Sequence, residues 1–133
     1  MVGIYEDGIL VDEILSTKKS SEALIDIFDE ILSKYEIERI IYTNGPGSFM
    51  GIKVSYIILK TISKAKEIKF SAVSGFELNS NSPIKANKNL SFVMEDGEIL
   101  LKKVLPGEFK LSKSLFNLNI QKDTLPNYVL GAV

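Results

Sequence analysis

The β-branched run Ile40-Ile41-Tyr42-Thr43 leads directly into Asn44-Gly45-Pro46-Gly47. Helical periodicity follows from about Ser48 to Lys66, and a second β-rich run occupies Phe70 to Val73. Strand, tight turn, helix and strand in that order predict a βαβ unit, because parallel strands need a long crossover between them. Upstream, Val2 to Tyr5 and Ile9 to Leu15 flank Glu6-Asp7-Gly8, and Asp-Gly between β-formers predicts a hairpin. Between hairpin and βαβ unit, Leu24, Ile27, Phe28, Ile31 and Tyr35 recur at helical spacing over about 20–35, with Ser20 or Ser21 as cap. Glu22, Asp26, Asp29, Glu30 and Ser33 make the wet face of that helix, and Ile25 and Leu32 widen its apolar arc on one flank. The order hairpin, α, β, α, β predicts a sheet with helices packed on it. Beyond Ser74 the pattern weakens. Asn79-Ser80-Asn81-Ser82-Pro83 reads as a linker, runs at 90–94 and 99–105 read as a second hairpin around Asp96-Gly97, and Tyr128-Val129-Leu130 reads as a last short strand.

Composition narrows the chemistry. The 133 residues contain no histidine, cysteine or tryptophan. Disulfides, Cys/His zinc sites and imidazole acid–base catalysis are therefore excluded. The formal net charge of -1 argues against a domain-wide basic footprint for nucleic acid, although a local lysine cluster is compatible with it. No run approaches the ~18 apolar residues of a membrane span, and the N-terminus lacks the features of a signal peptide. A cytoplasmic protein with no membrane association is the expectation.

The second helix is apolar on more than one side. Met50, Val54, Ile57, Ile58, Ile62 and Ala65 share one arc, expected to face the core. Ile52, Tyr56 and Leu59 fall on another arc, and Lys53, Lys60 and Lys64 form a polar wedge. A surface helix normally has one apolar stripe, so the Ile52–Tyr56–Leu59 arc needs a cover from this chain or from a partner.

The turn Gly45-Pro46-Gly47-Ser48-Phe49-Met50-Gly51-Ile52-Lys53 is not a Walker A loop, because no Gly-Lys-Ser/Thr follows. Gly-x-Gly before a helix allows either anion binding or plain close packing, and the spacing alone favours packing. The stretch resembles the motif of the TsaB (YeaZ) family, which reads Gly-Pro-Gly-Ser-Phe-Thr-Gly followed by a small aliphatic residue and arginine. Gly45, Pro46, Gly47, Ser48, Phe49 and Gly51 coincide with it. Met50 stands for the threonine, and Lys53 for the arginine, whose bidentate contact lysine cannot copy. Tyr5-Glu6-Asp7-Gly8, Lys60 and Phe70-Ser71-Ala72-Val73-Ser74 also resemble family features, and the likeness covers roughly residues 2–76. The family's first strand, with its Asp-Thr-Ser/Thr turn, has no counterpart here. Either that strand is lacking or the start lies upstream.

The resemblance implies an actin-like, ribonuclease H-like α/β domain over 1–76 and a shortened C-terminal subdomain over 77–133. It implies a non-catalytic scaffold subunit that supports TsaD in threonylcarbamoyladenosine modification of tRNA, with TsaE as a third partner and homodimerisation as an alternative. It implies no metal site and no cofactor of its own, ATP or ADP belonging at a joint interface with TsaD and TsaE, and no direct tRNA contact. The expected partner-binding residues are Ile25, Leu32, Ile52, Tyr56 and Leu59. Two other classes remain open: a reduced actin-like ATPase or carboxylate-dependent hydrolase using Asp7, Asp12, Glu13, Glu95 or Asp96, and a self-associating module.

Overall fold

The computed structural model describes residues 2–15, 20–47, 49–79, 81–107 and 111–126. The chain is a mixed α/β protein. The hairpin forms from β1 (Val2–Glu6) and β2 (Ile9–Ile14), paired antiparallel with a register shift between Ile4 and Tyr5. Asp7 and Gly8 both take positive φ, 52° and 81°, the geometry of the tight hairpin turns that match strand twist. Helix α1 (Ser20–Lys34) follows, then β3 (Arg39–Thr43), helix α2 (Phe49–Lys66) and β4 (Lys69–Val73). β3 and β4 pair in parallel from Arg39↔Lys69 to Thr43↔Val73, so the βαβ reading holds.

α2 ends in the left-handed cap that closes many helices. Glu67 takes φ 55°, while the Ile68 amide donates back to the Ser63 carbonyl at 2.8 Å. Beyond β4 a short helix α3 (Gly75–Leu78) is capped by Ser74, whose hydroxyl accepts from the Phe76 amide. It lies on the stretch flanking the expected linker. Strands β5 (Ile84–Lys85), β6 (Ser91–Glu95) and β7 (Glu98–Lys102) complete the regular elements. The second hairpin turns at Asp96-Gly97, again with positive φ at both residues. The expected strand at 128–130 lies outside the described residues.

One expectation is corrected. The first four strands form two small sheets, β1-β2 and β3-β4, rather than one, and β5-β6-β7 form a third. Among the described residues no strand joins β1 to β3. The segment after β7 instead lies along outer edges. Ser114 bridges Ile9, with the Leu10 amide on the Lys113 carbonyl at 2.9 Å, and Gln121 bridges Ala72 through reciprocal bonds of 3.0 and 2.7 Å. Pairing those edges satisfies backbone groups that would otherwise be templates for other chains.

Three cores result. Ile4, Ala23, Ile27 and Ile31 join the hairpin to α1. Phe28, Ile40, Tyr42, Leu59 and Ala72 join α1 and α2 to the parallel strands. Ile37 packs against both clusters and links them. Phe76, Ile84 and Phe92 form the third, which joins α3 to the β5–β7 sheet.

Tyr5 is one tie between the hairpin and the later segment. Its hydroxyl donates to the Ser112 carbonyl. Burial, and secondarily the Glu13 carboxylate, raise the Tyr5 phenol above its ordinary value of 10.0. The folded state thus prefers the protonated phenol. Its stabilising contribution is complete below the unfolded pKa and is lost as pH rises through the higher folded value. Tyr5→Phe is expected to lower unfolding free energy by about 0.5–1.5 kcal/mol at neutral pH, the net worth of one hydrogen bond. It should also flatten the loss of stability above about pH 10. Urea unfolding of both proteins over that pH range checks it.

Candidate functional site

The site reading rests on which side of α2 meets the sheet. Leu59 is 5% exposed and lies within the core made by Phe28, Ile40, Tyr42 and Ala72. Tyr56 packs on the same core, its ring 5.9 Å from Tyr42 and 6.2 Å from Phe70. Ser63, one turn beyond Leu59, is buried, and its hydroxyl donates to the Lys60 carbonyl at 2.8 Å. Lys60 is half-buried and donates to the Tyr56 hydroxyl at 2.7 Å, so it belongs to the rim of the core rather than to a solvated wedge. Ile52 is half-buried and sits beside Gly47.

The expected faces of α2 are therefore exchanged. Tyr56 and Leu59 face the chain's own interior and are not free for docking, and Ile52 on their arc is half-buried. On the far side Ile57 is 51% exposed, with Val54 and Ile58 half-buried and Ala65 exposed. Among the described side chains of the expected core arc, Ile62 is the one that packs on the core. The cover for the Tyr56–Leu59 side comes from β3, β4 and α1. On α1, Ile25 is 52% exposed and Leu32 half-buried, while Leu24 and Phe28 turn toward the shared core. α1 and α2 pack against each other. Their outer surface carries Ile25, Leu32, Val54, Ile57 and Ile58.

Charge divides sharply across this surface. α1 has Glu22, Asp26, Asp29 and Glu30 against one lysine, Lys34. α2 has Lys53, Lys60, Lys64 and Lys66 and no carboxylate. Lys34 is paired with Glu30 at 2.8 Å, and that hydrogen bond raises its pKa.

The motif loop is built inward. Asn44, Gly45 and Pro46 are buried, and the Gly45–Pro46 peptide is cis. The Asn44 amide donates to the Val73 carbonyl at 3.0 Å, and the Gly45 carbonyl accepts from the Gly75 amide at 2.8 Å. Gly45 has φ 126°, a conformation L side chains rarely adopt. A Cβ on Gly47 would meet only ordinary contacts. Gly45→Ala is accordingly expected to cost about 1–3 kcal/mol, and Gly47→Ala less than about 1 kcal/mol, by thermal or urea unfolding. Gly51 is half-buried and Lys53 exposed. Ser48 and the side chains of Phe49 and Met50 lie outside the description.

The alternative catalytic carboxylates are not brought together. Asp7, Asp12 and Glu13 sit on the first hairpin, Glu95 and Asp96 on the second, and all five are exposed. Asp7 and Asp96 serve the hairpin turns, and Glu95 pairs with Lys102. Among the described residues no cluster of three or more acids could hold a metal ion. No helix among them is long and apolar enough to cross a membrane.

The chain is thus a mixed α/β protein with a Gly-Pro-Gly strand-to-helix turn. Residues 11–95, well over half of the chain, match the family described as "TsaD: tRNA N6-adenosine threonylcarbamoyltransferase". The chain belongs to this family, and the TsaB-type likeness of its motif falls within it. No curated protein matches the chain. Among solved structures it is similar to "YeaZ from Pseudomonas aeruginosa", with 16% identity and a TM-score of 0.47, covering 62% of this chain and 49% of that one. It is also similar to an uncharacterized protein described as similar to peptidase YEAZ from Pseudomonas aeruginosa, with 21% identity and a TM-score of 0.41, covering 62% of this chain and 48% of that one. The chain spans about half the length of these structures.

Proposed function

We propose that this chain is a scaffold subunit of the tRNA threonylcarbamoyladenosine machinery, with an actin-like N-terminal unit whose α1–α2 face holds TsaD. The observation that carries the reading is the outward apolar set on two adjacent helices, Ile25 on α1 and Ile57 on α2, each about half exposed. Ordinary surfaces scatter such residues singly. Here they lie on two helices that pack against each other, with half-buried Leu32, Val54 and Ile58 on the same helices.

The charge division fits a partner built alike. A second α1–α2 pair, related by a two-fold or pseudo-two-fold axis, can place each acidic α1 against a basic α2. TsaD, as a relative in the same family, meets that description, and so does a second copy of this chain. Membership in the tRNA-modifying family favours TsaD, with TsaE and any ATP or ADP engaged through the assembled complex.

The test is reconstitution. TsaD and TsaE with this chain should form threonylcarbamoyladenosine on tRNA, and omission of the chain should abolish it. Product formed without the chain would overturn the scaffold role. Metal-dependent ATP turnover by the chain alone would support the ATPase alternative instead. A stable dimer that persists unchanged when TsaD is added would make the second copy the true occupant.

A further inference from the structure

The β5–β7 region carries a feature that the helix face does not use. A cleft of about 430 Å³ opens where the β5–β6 turn meets the chain leaving β7, and Lys85, Lys88 and Lys103 line it with Asn87, Asn89 and Leu105. No carboxylate lines it. Both walls are fixed. The Asn87 carboxamide oxygen accepts from the Asn89 and Leu90 amides at 2.9 and 2.8 Å, and the Ala86 and Asn87 amides donate to the Leu90 carbonyl. Across the cleft, buried Ser91 donates to the Val104 carbonyl at 2.9 Å, and the Gly107 amide reaches the Pro83 carbonyl at 2.8 Å.

Charge is separated along this sheet. Lys85, Ser91 and Lys102 share one rung, while Glu95, Asp96 and Glu98 gather at the turn between β6 and β7. Lys102 is engaged by Glu95. Lys85, Lys88 and Lys103 have no carboxylate partner among the described residues. Three lysines without a carboxylate partner among the described residues, lining one cleft with two asparagines, suit a run of phosphates, for which lysine serves as a point charge.

We propose that this cleft binds the phosphate backbone of RNA. The choice of RNA rests on the tRNA-modifying function proposed above. The whole-chain charge of -1 hides the site because the cations are local.

The test is fluorescence anisotropy of labelled bulk tRNA titrated with the full chain, without TsaD, over a series of KCl concentrations. The chain should bind tRNA with a salt dependence set by about three phosphate contacts, a log–log slope of roughly -2 to -3. Lys85→Gln/Lys88→Gln/Lys103→Gln should weaken binding by about tenfold or more and remove most of that slope. The matching Lys→Arg triple should retain both, and Lys53→Gln/Lys64→Gln/Lys66→Gln on α2 should change neither. Unchanged melting temperatures exclude misfolding as the cause. No tRNA binding by the parent, or equal binding by the Gln triple, overturns the proposal. So does binding of inorganic phosphate at this cleft without tRNA. Association of the Gln triple with TsaD, measured separately, should match the parent, so failure of the helix-docking reading and failure of this one are distinguishable.

Discussion

Leu59→Ala is expected to lower the unfolding free energy by about 2–5 kcal/mol, the range for truncating a buried leucine. The residue is 5% exposed and stands where α1, α2, β3 and β4 meet, against Phe28, Ile40, Tyr42 and Ala72. Small neighbours such as Ala72 cannot move to fill the space, so a cavity adds to the lost transfer energy. Domains of ordinary stability hold about 5–15 kcal/mol in total, so the variant should melt well below the parent or fail to accumulate. Tyr56→Asp should act in the same direction, because it places a charge beside the Tyr42 and Phe70 rings. Urea unfolding followed by circular dichroism measures both. A Leu59→Ala loss within about 0.5 kcal/mol, the scale of a surface change, would return this arc to the surface.

That expectation reverses the face assignment drawn from the sequence, and the reason is physical. Helix period and the flanking strands were legible: β1–β4 and both long helices lie within a residue or two of the sequence reading. Which side of an all-round apolar helix faces inward was not, because counting apolar residues favoured the Val54–Ile57–Ile58 arc. The neighbours on the helix surface carry the missing signal. Ile57 has Lys53, Lys60, Thr61 and Lys64 at i-4, i+3, i+4 and i+7, whereas Tyr56 has Ile52, Leu59 and Ser63 in place of three of those polar groups. Three lysines around Ile57 mark that side of the helix as outward.

The single expected sheet failed for a different reason. Periodicity identifies strands but not which strands meet, and nothing in β1 or β3 specifies a shared ladder. The cleft lysines escaped notice because Lys85, Lys88 and Lys103 are dispersed in sequence and meet only through the β5–β6–β7 pairing. The Gly45 requirement was readable as a turn, though not which of its glycines needed the left-handed region.

The second large effect is on association. Ile25→Asp/Ile57→Asp should leave the monomer folded, because both side chains are about half exposed and neither belongs to a core cluster. At an interface the same changes bury two carboxylates without partners. A central apolar anchor is worth about 2 kcal/mol or more, which is on the order of 30-fold in affinity for each site. The double variant should therefore lose TsaD at micromolar concentrations. Salt should weaken the parent complex, since acidic α1 and basic α2 contribute across the rim.

Light scattering of the chain mixed with TsaD is the most direct measurement. The parent should run with TsaD as one species of summed mass, and Ile25→Asp/Ile57→Asp should run apart from it while keeping the parent's melting temperature. A double variant that still forms the full complex with unchanged affinity would contradict the outward face of α1 and α2 as the docking surface.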